Sequence, residues 1–200
     1  TRGGEFKKWY GNYFLVTRID RWAMEYLAPY PKFTLQNKEY YFKEGCSWPL
    51  IVSGKLSSKL LPPGFIFGNN GPSIILNSSS DNMKMLGFLN SCVADCFAKI
   101  INPTISCSAG VIKKLPVIDF NKWENKLVQI NCEICKRDWD SSEMSWDYKK
   151  HPLIQKKETI IDSYKCWEEE CEKRFCKLKM NEEELNRIFI DIYGLQDELT

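Results

Sequence analysis

Two short stretches bring together residue types suited to gripping a polyanion. Lys7-Lys8-Trp9-Tyr10 sets two ammonium groups beside two aromatic rings. Lys43, Trp48, Ser53, Gly54, Lys55, Ser57, Ser58 and Lys59 form a second group. Alternate residues of an extended strand share a face, so Ser53, Lys55, Ser57 and Lys59 would project together along ~20 Å. Such a row suits phosphate oxygens: lysine supplies charge, while serine and backbone N–H groups supply neutral donors. The alternative role of the row is a solvated strand face. Asn69, Asn70 and Ser73 flank Gly71-Pro72. Loop amides of this kind reach base edges, and the same residues also serve ordinary turn chemistry.

Other chemistries find little support. The single histidine, His151, precedes Pro152 and leaves no Ser-His-Asp or Cys-His scheme. Cys132 and Cys135 have zinc-type spacing, but no second close pair accompanies them, so packed thiols are the favoured reading and no metal is expected. Cys166, Cys171 and Cys176 lie five apart, which suits neither a zinc knuckle nor one helical face. No phosphate-binding G-x4-G-K-[ST] loop exists. Asp119, Glu124 and Lys126 only loosely imitate a nuclease carboxylate–lysine set. The chain by itself is expected to be non-catalytic.

The elements that must position these groups follow from patterning. The 200 residues are 44% apolar and 27% charged with a formal net charge of +2, which excludes a mainly disordered chain. No apolar run is long enough to span a membrane, and no secretory leader is recognisable, so reduced thiols in a cytoplasmic setting are expected for the nine cysteines. The missing initiator Met suggests a fragment of a longer polypeptide. Residues 1–118 carry fourteen Lys/Arg against seven Asp/Glu, a net of +7, while residues 119–200 carry a net of −5. A polyanion partner for the front part alone is the expectation.

The predicted fold class is α/β (α+β): a mixed or antiparallel twisted sheet with a packed helix, followed by a helical hairpin or coiled-coil-like spacer. Phe14–Val16, Tyr40–Phe42 and Ser73–Leu76 read as strands. Lys55–Leu61 and Phe65–Phe67 read as a hairpin about Pro62-Pro63-Gly64. Asp81–Ile101 reads as one helix ended by Asn102-Pro103. Val111–Val117 reads as extended, and 123–148 as irregular. A long helix from about Leu153 carries Ile160, Tyr164, Trp167, Cys171, Phe175 and Leu178 on one stripe. Asn181 with Glu184 then looks like the start of a new helix, stopped at Gly194. The expected division is a recognition domain, 1–118, and a helical spacer, 119–200.

Several motifs together resemble a known family. Tyr40-Tyr41-Phe42-Lys43-Glu44-Gly45, Ser53-Gly54-Lys55 and Pro63-Gly64-Phe65-Ile66-Phe67 resemble the TaqI-like target-recognition region of adenine-specific DNA methyltransferases. Leu86–Ser91, Asn102-Pro103-Thr104, Asp138–Asp140, Ser145–Asp147, Asn181–Phe189 and Tyr193-Gly194-Leu195 extend the likeness over nearly the whole chain. It is nearest to the PglX-type methyltransferases of BREX phage defence and related restriction–modification enzymes. The resemblance implies duplex DNA as partner and a methyltransferase domain elsewhere in the same polypeptide. That domain would hold S-adenosylmethionine and an Asn-Pro-Pro-aromatic motif; Asn102-Pro103-Thr104-Ile105 lacks the second Pro and the aromatic. In such a parent the helical part braces the two lobes. The alternative expectation is a helical protein-interaction module without direct DNA contact.

Overall fold

The computed structural model describes residues 3–199 apart from 32, 36, 120, 122 and 156. Among the described residues, three short strands make one antiparallel sheet. β1 (Gly45–Ser47) is central, with β2 (Lys59–Leu61) on one side and β3 (Ser73–Ile74) on the other. Cys46 faces Leu60 across one ladder and Ile74 across the other. β1 is buried along its whole length. Its Gly-Cys-Ser composition fits that position, because a Cβ at Gly45 would collide with the Ile74 carbonyl.

The sheet is smaller than the patterning predicts. Residues 14–16 are irregular, and Tyr40 ends a 3-10 turn, Lys38–Tyr40. Phe65–Phe67 does not pair with β2. The Pro-Pro-Gly turn folds back onto Phe42 instead, whose N–H donates to the Phe65 carbonyl at 2.8 Å while Gly64 N–H donates to the Phe42 carbonyl at 3.1 Å. The segment before β2 leaves the sheet because side chains capture its backbone. Asp95 accepts from Leu56 N–H at 2.7 Å, and the Asn90 amide takes both Ser58 N–H (2.8 Å) and the Ser58 carbonyl (2.9 Å).

The same Asn90 divides the predicted helix 81–101 in two. α1 (Arg21–Leu27), capped by Asp20, precedes the sheet; α2 (Ser79–Leu89) and α3 (Cys92–Ile101) follow it. Ser91 opens α3 by accepting from Ala94 N–H at 3.2 Å, as a helix-capping serine does. α4 (Ala109–Ile112) takes the start of the segment read as extended, the rest of which is turn and irregular backbone, and α5 (Lys126–Trp139) falls inside the stretch read as irregular.

α6 (Ile160–Tyr193) is one continuous helix of 34 residues, ~51 Å long. Asn181 starts no helix. It is buried in mid-helix, and its Nδ2 donates to Asn131 Oδ1 on α5 at 2.8 Å. Arg174 approaches Asp138 at 3.9 Å seven residues earlier on α6 and seven later on α5, so the two helices run antiparallel. The helical hairpin is therefore α5 with the C-terminal half of α6, joined through 140–159. Asn186 accepts from Cys92 N–H at 2.9 Å and so helps to cap α3 from α6. Gly194 ends the helix in the left-handed conformation, φ 65°, as predicted.

One apolar cluster runs from Trp9 and Trp48 through α2 and α3 to Leu185, Phe189 and Ile190. Phe189 meets Phe88 and Trp123 edge-on at 5.7 and 4.8 Å. Gly87 makes this approach possible, since a Cβ there would lie 2.5 Å from the Trp123 ring and 2.7 Å from Val128. No described helix is long and apolar enough to cross a membrane.

Two substitutions test this packing. Asn181→Ala strands a buried amide on α5 and should lower unfolding free energy by about 1–3 kcal/mol in a urea titration. Gly87→Ala overfills the contact with Trp123 and should cost about 1–3 kcal/mol in the same measurement.

Candidate nucleic-acid interface

The N-terminal segment is built into the molecule by hydrogen bonds that span nearly the whole chain. Trp9 lies alongside β2, with its N–H on the Ser58 carbonyl at 2.9 Å and its carbonyl accepting from Leu60 N–H at 2.8 Å. Its indole N–H donates to Glu182 Oε1 at 2.6 Å, and Lys8 Nζ bonds Glu182 Oε2 at 3.0 Å. Lys7 lies 4.0 Å from Asp138, and Lys136 bonds the Tyr10 hydroxyl at 3.3 Å as well as Asp140 and Asp147. Trp9 is therefore buried, while Lys7, Lys8 and Tyr10 stay half-buried with partners on α5 and α6. Of the quartet, Trp9 is the member that burial takes out of reach of a partner.

Three more expected contacts are buried. Trp48 is 1% exposed and donates its indole N–H to the Cys107 carbonyl at 2.8 Å. Ser57 and Lys59 are equally enclosed. The row Ser53, Lys55, Ser57, Lys59 does not exist as one face, because regular strand begins only at Lys59. Lys59 Nζ donates to the carbonyls of Gly3 (3.3 Å) and Asn12 (3.4 Å) and lies 5.3 Å from the centre of the Tyr13 ring. Burial pulls its ammonium pKa down to about 8. Ser73 is half-buried, with its hydroxyl on the Gly71 carbonyl at 3.2 Å.

The remaining candidates are exposed at two places. Ser53 and Lys55 lie at a pocket of about 200 Å³ between residues 52–56 and the end of α3, with Ser53 in its wall. Lys43, Asn69 and Asn70 adjoin a much larger groove of ≈ 950 Å³. Its walls are Gly3, Gly4, residues 12–17, Ile19, Phe42, residues 64–68 and Trp146. Lys43 follows Phe42, and Asn69 follows Gly68. Lys43 extends over the Tyr40 ring at 5.5 Å.

The groove is open, largely apolar and ringed by aromatic groups. Phe14, Phe42 and Trp146 are all at least 46% exposed and meet at one groove, and such a contiguous apolar patch marks an interaction site. Trp146 is fixed there by its indole N–H on the Tyr13 carbonyl at 2.7 Å. Two wall residues, Asn12 and Phe42, have positive φ (60° and 64°), as does Trp9 in the adjoining segment (68°). For non-glycine residues such backbone costs roughly 1–3 kcal/mol each and persists where surroundings enforce it, characteristically at binding sites. The sequence reading missed this groove. The aromatic density of residues 9–16, 40–42 and 65–67 was visible, but their convergence with Trp146 depends on tertiary contacts.

The cysteine pair Cys132/Cys135 lies in the core. Burial pushes Cys132 strongly upward and Cys135 up to about 12, and the Cys132 thiol rests on the Trp9 carbonyl at 3.7 Å. Both are neutral packed thiols at ordinary pH.

Comparison with known proteins places these features in a lineage. No family model matches the chain. The adenine-specific methyltransferase PglX of Lacticaseibacillus casei (strain Zhang) is 33% identical over 212 residues, covering 100% of this chain and 18% of that protein. The adenine-specific methyltransferase BrxX of Escherichia coli O9:H4 (strain HS) is 30% identical over 201 residues, covering 100% of this chain and 16% of that protein. The chain thus spans less than a fifth of the length of these curated relatives. It is homologous, from end to end, to one segment of the adenine-specific methyltransferases PglX and BrxX.

Proposed function

We propose that this chain is the DNA-recognition segment of an adenine-specific DNA methyltransferase acting in phage defence or restriction–modification. The observation that carries the reading is the aromatic-walled groove with strained wall residues, in a chain homologous throughout to part of two adenine-specific methyltransferases. Residues 3–118 supply most of the groove and the recognition surface. Residues 119–200 supply Trp146 and brace that surface through α5 and α6. The methyl group would come from S-adenosylmethionine held by a methyltransferase domain of the same polypeptide, and the acceptor would be a flipped adenine.

The physical division of labour follows from exposure. Lys38, Lys43, Lys55, Lys113 and Lys114 are exposed and take part in no ion pair among the described residues. Within residues 3–118 they are the cations proposed to contact phosphates. Asn69 and Asn70 stand on an exposed tip closed by the Gly71 N–H to Gly68 carbonyl bond, 2.9 Å, and are placed to read base edges. Phe14, Phe42 and Trp146 offer flat faces to a base that leaves the stack.

Binding of a labelled mixed-sequence duplex to this chain should weaken linearly with log salt concentration, since each phosphate contact releases counterions. Lys43→Glu should lower the steepness of that dependence by about one contact and weaken binding to every sequence alike. Salt-independent binding, or a slope unchanged when Lys43 and Lys55 are both reversed, would reject the reading.

A second reading has its own observation. Ile160, Ile161, Tyr164 and Phe175 on the N-terminal half of α6 are exposed. They suit a helical partner better than solvent. Self-association in sedimentation runs at several concentrations, abolished by Phe175→Glu and accompanied by no duplex binding, would favour an assembly module.

A further inference from the structure

Both ends of the N-terminal strap, residues 3–12, return to one buried cation. The Lys59 ammonium, on a side chain from β2 that is 2% exposed, donates to the Gly3 carbonyl at 3.3 Å and to the Asn12 carbonyl at 3.4 Å. The next strap residue, Tyr13, lays its ring 5.3 Å from the same nitrogen and donates its hydroxyl to the Leu60 carbonyl, the residue after Lys59. Gly3, Asn12 and Tyr13 are all walls of the aromatic groove. The strap between them contains four residues with positive φ: Gly4 (95°), Trp9 (68°), Gly11 (123°) and Asn12 (60°). A loop so bent does not hold its shape by local preference, and for Trp9 and Asn12 the conformation is held against it.

A buried lysine carries a desolvation cost that an apolar residue of similar length would not. Among its contacts, the charge meets two backbone oxygens and a ring face of the strap. These contacts draw both ends of the strap, Gly3 at one and Asn12-Tyr13 at the other, to a single point. An ammonium suits this task, because it is a compact charge with three donors that need no common plane.

We propose that Lys59 is a positioning residue for the groove: its ammonium clamps Gly3, Asn12 and Tyr13 together and so sets the wall against which a ligand is received. The clamp is a property of the chain itself; its consequence for DNA rests on the function proposed above.

Lys59→Met keeps the stem and removes the charge, and Lys59→Arg keeps the charge. Hydrogen exchange, followed by mass spectrometry on the 200-residue chain, reads the strap directly. In Lys59→Met the amides of residues 3–17 should exchange about tenfold faster or more, while peptides from α2 and α5 keep their protection. In Lys59→Arg the strap should return close to wild-type protection. Affinity for a labelled mixed-sequence duplex should follow the same order, weakened in the Met variant and recovered in the Arg variant. Unchanged strap exchange in Lys59→Met overturns the proposal. So does an equal loss in both variants, or a loss of protection spread evenly over every peptide, which would mean a general core defect. If the wild-type chain binds no duplex, the functional reading fails, and strap exchange still decides the clamp.

Discussion

The carboxylate of Glu182 holds the two ends of the chain together. It accepts the Trp9 indole N–H on one oxygen and the Lys8 ammonium on the other. Because Trp9 also lies along β2, this one group joins the strap, the sheet and α6. The opposite charges of the front and back portions are thus spent partly on each other, within the molecule. A charge tally along the sequence reads as a basic face for a partner. Structurally, the cations near the N-terminus neutralise Asp138 and Glu182, and the surface left for a polyanion is defined by other lysines.

Side-chain amides organise much of what the backbone alone does not. Asn90 substitutes for a neighbouring strand at Ser58, Asn82 does the same for Leu76 N–H and the Glu44 carbonyl, and Asn186 binds an open N–H of α3. Sequence patterning goes wrong at two asparagines, Asn90, read as helix interior, and Asn181, read as a helix start. An asparagine in a helical run looks like a cap or a break, because its amide competes with the backbone locally. At Asn90 that reading would have divided the helix correctly. At Asn181 it misleads, because the amide is engaged across the interface by Asn131. The difference lies in a partner fifty residues away, which periodicity cannot register.

Other features were legible because their causes are local. Gly194 ends α6 in the conformation glycine favours, the apolar spacing of Leu185, Phe189 and Ile192 marks the buried side of α6, and Ser73–Ile74 is extended after Gly71-Pro72. α1 was overlooked although Asp20 caps it in an ordinary way, since its seven residues bury only Ala23 and give almost no apolar period. The groove lay beyond patterning altogether. Its walls come from the strap, the loop before β1, the turn after β2 and the α5–α6 connection, and no single stretch carries its signature.

The hydrogen bond between Trp9 and Glu182 joins residues 173 positions apart, and the Cys132 thiol reaches Trp9 from 123 positions away. Within this segment, synthesis delivers the strap well before its anchor on α6. Until α6 has left the ribosome, Trp9 and the aromatic stretch behind it have no lasting place to dock. A topology so rich in distant pairings closes its loops at a high entropic cost and folds slowly for its size. Within this segment, the front portion is consequently the part that waits longest for its partner and is most exposed to misassembly.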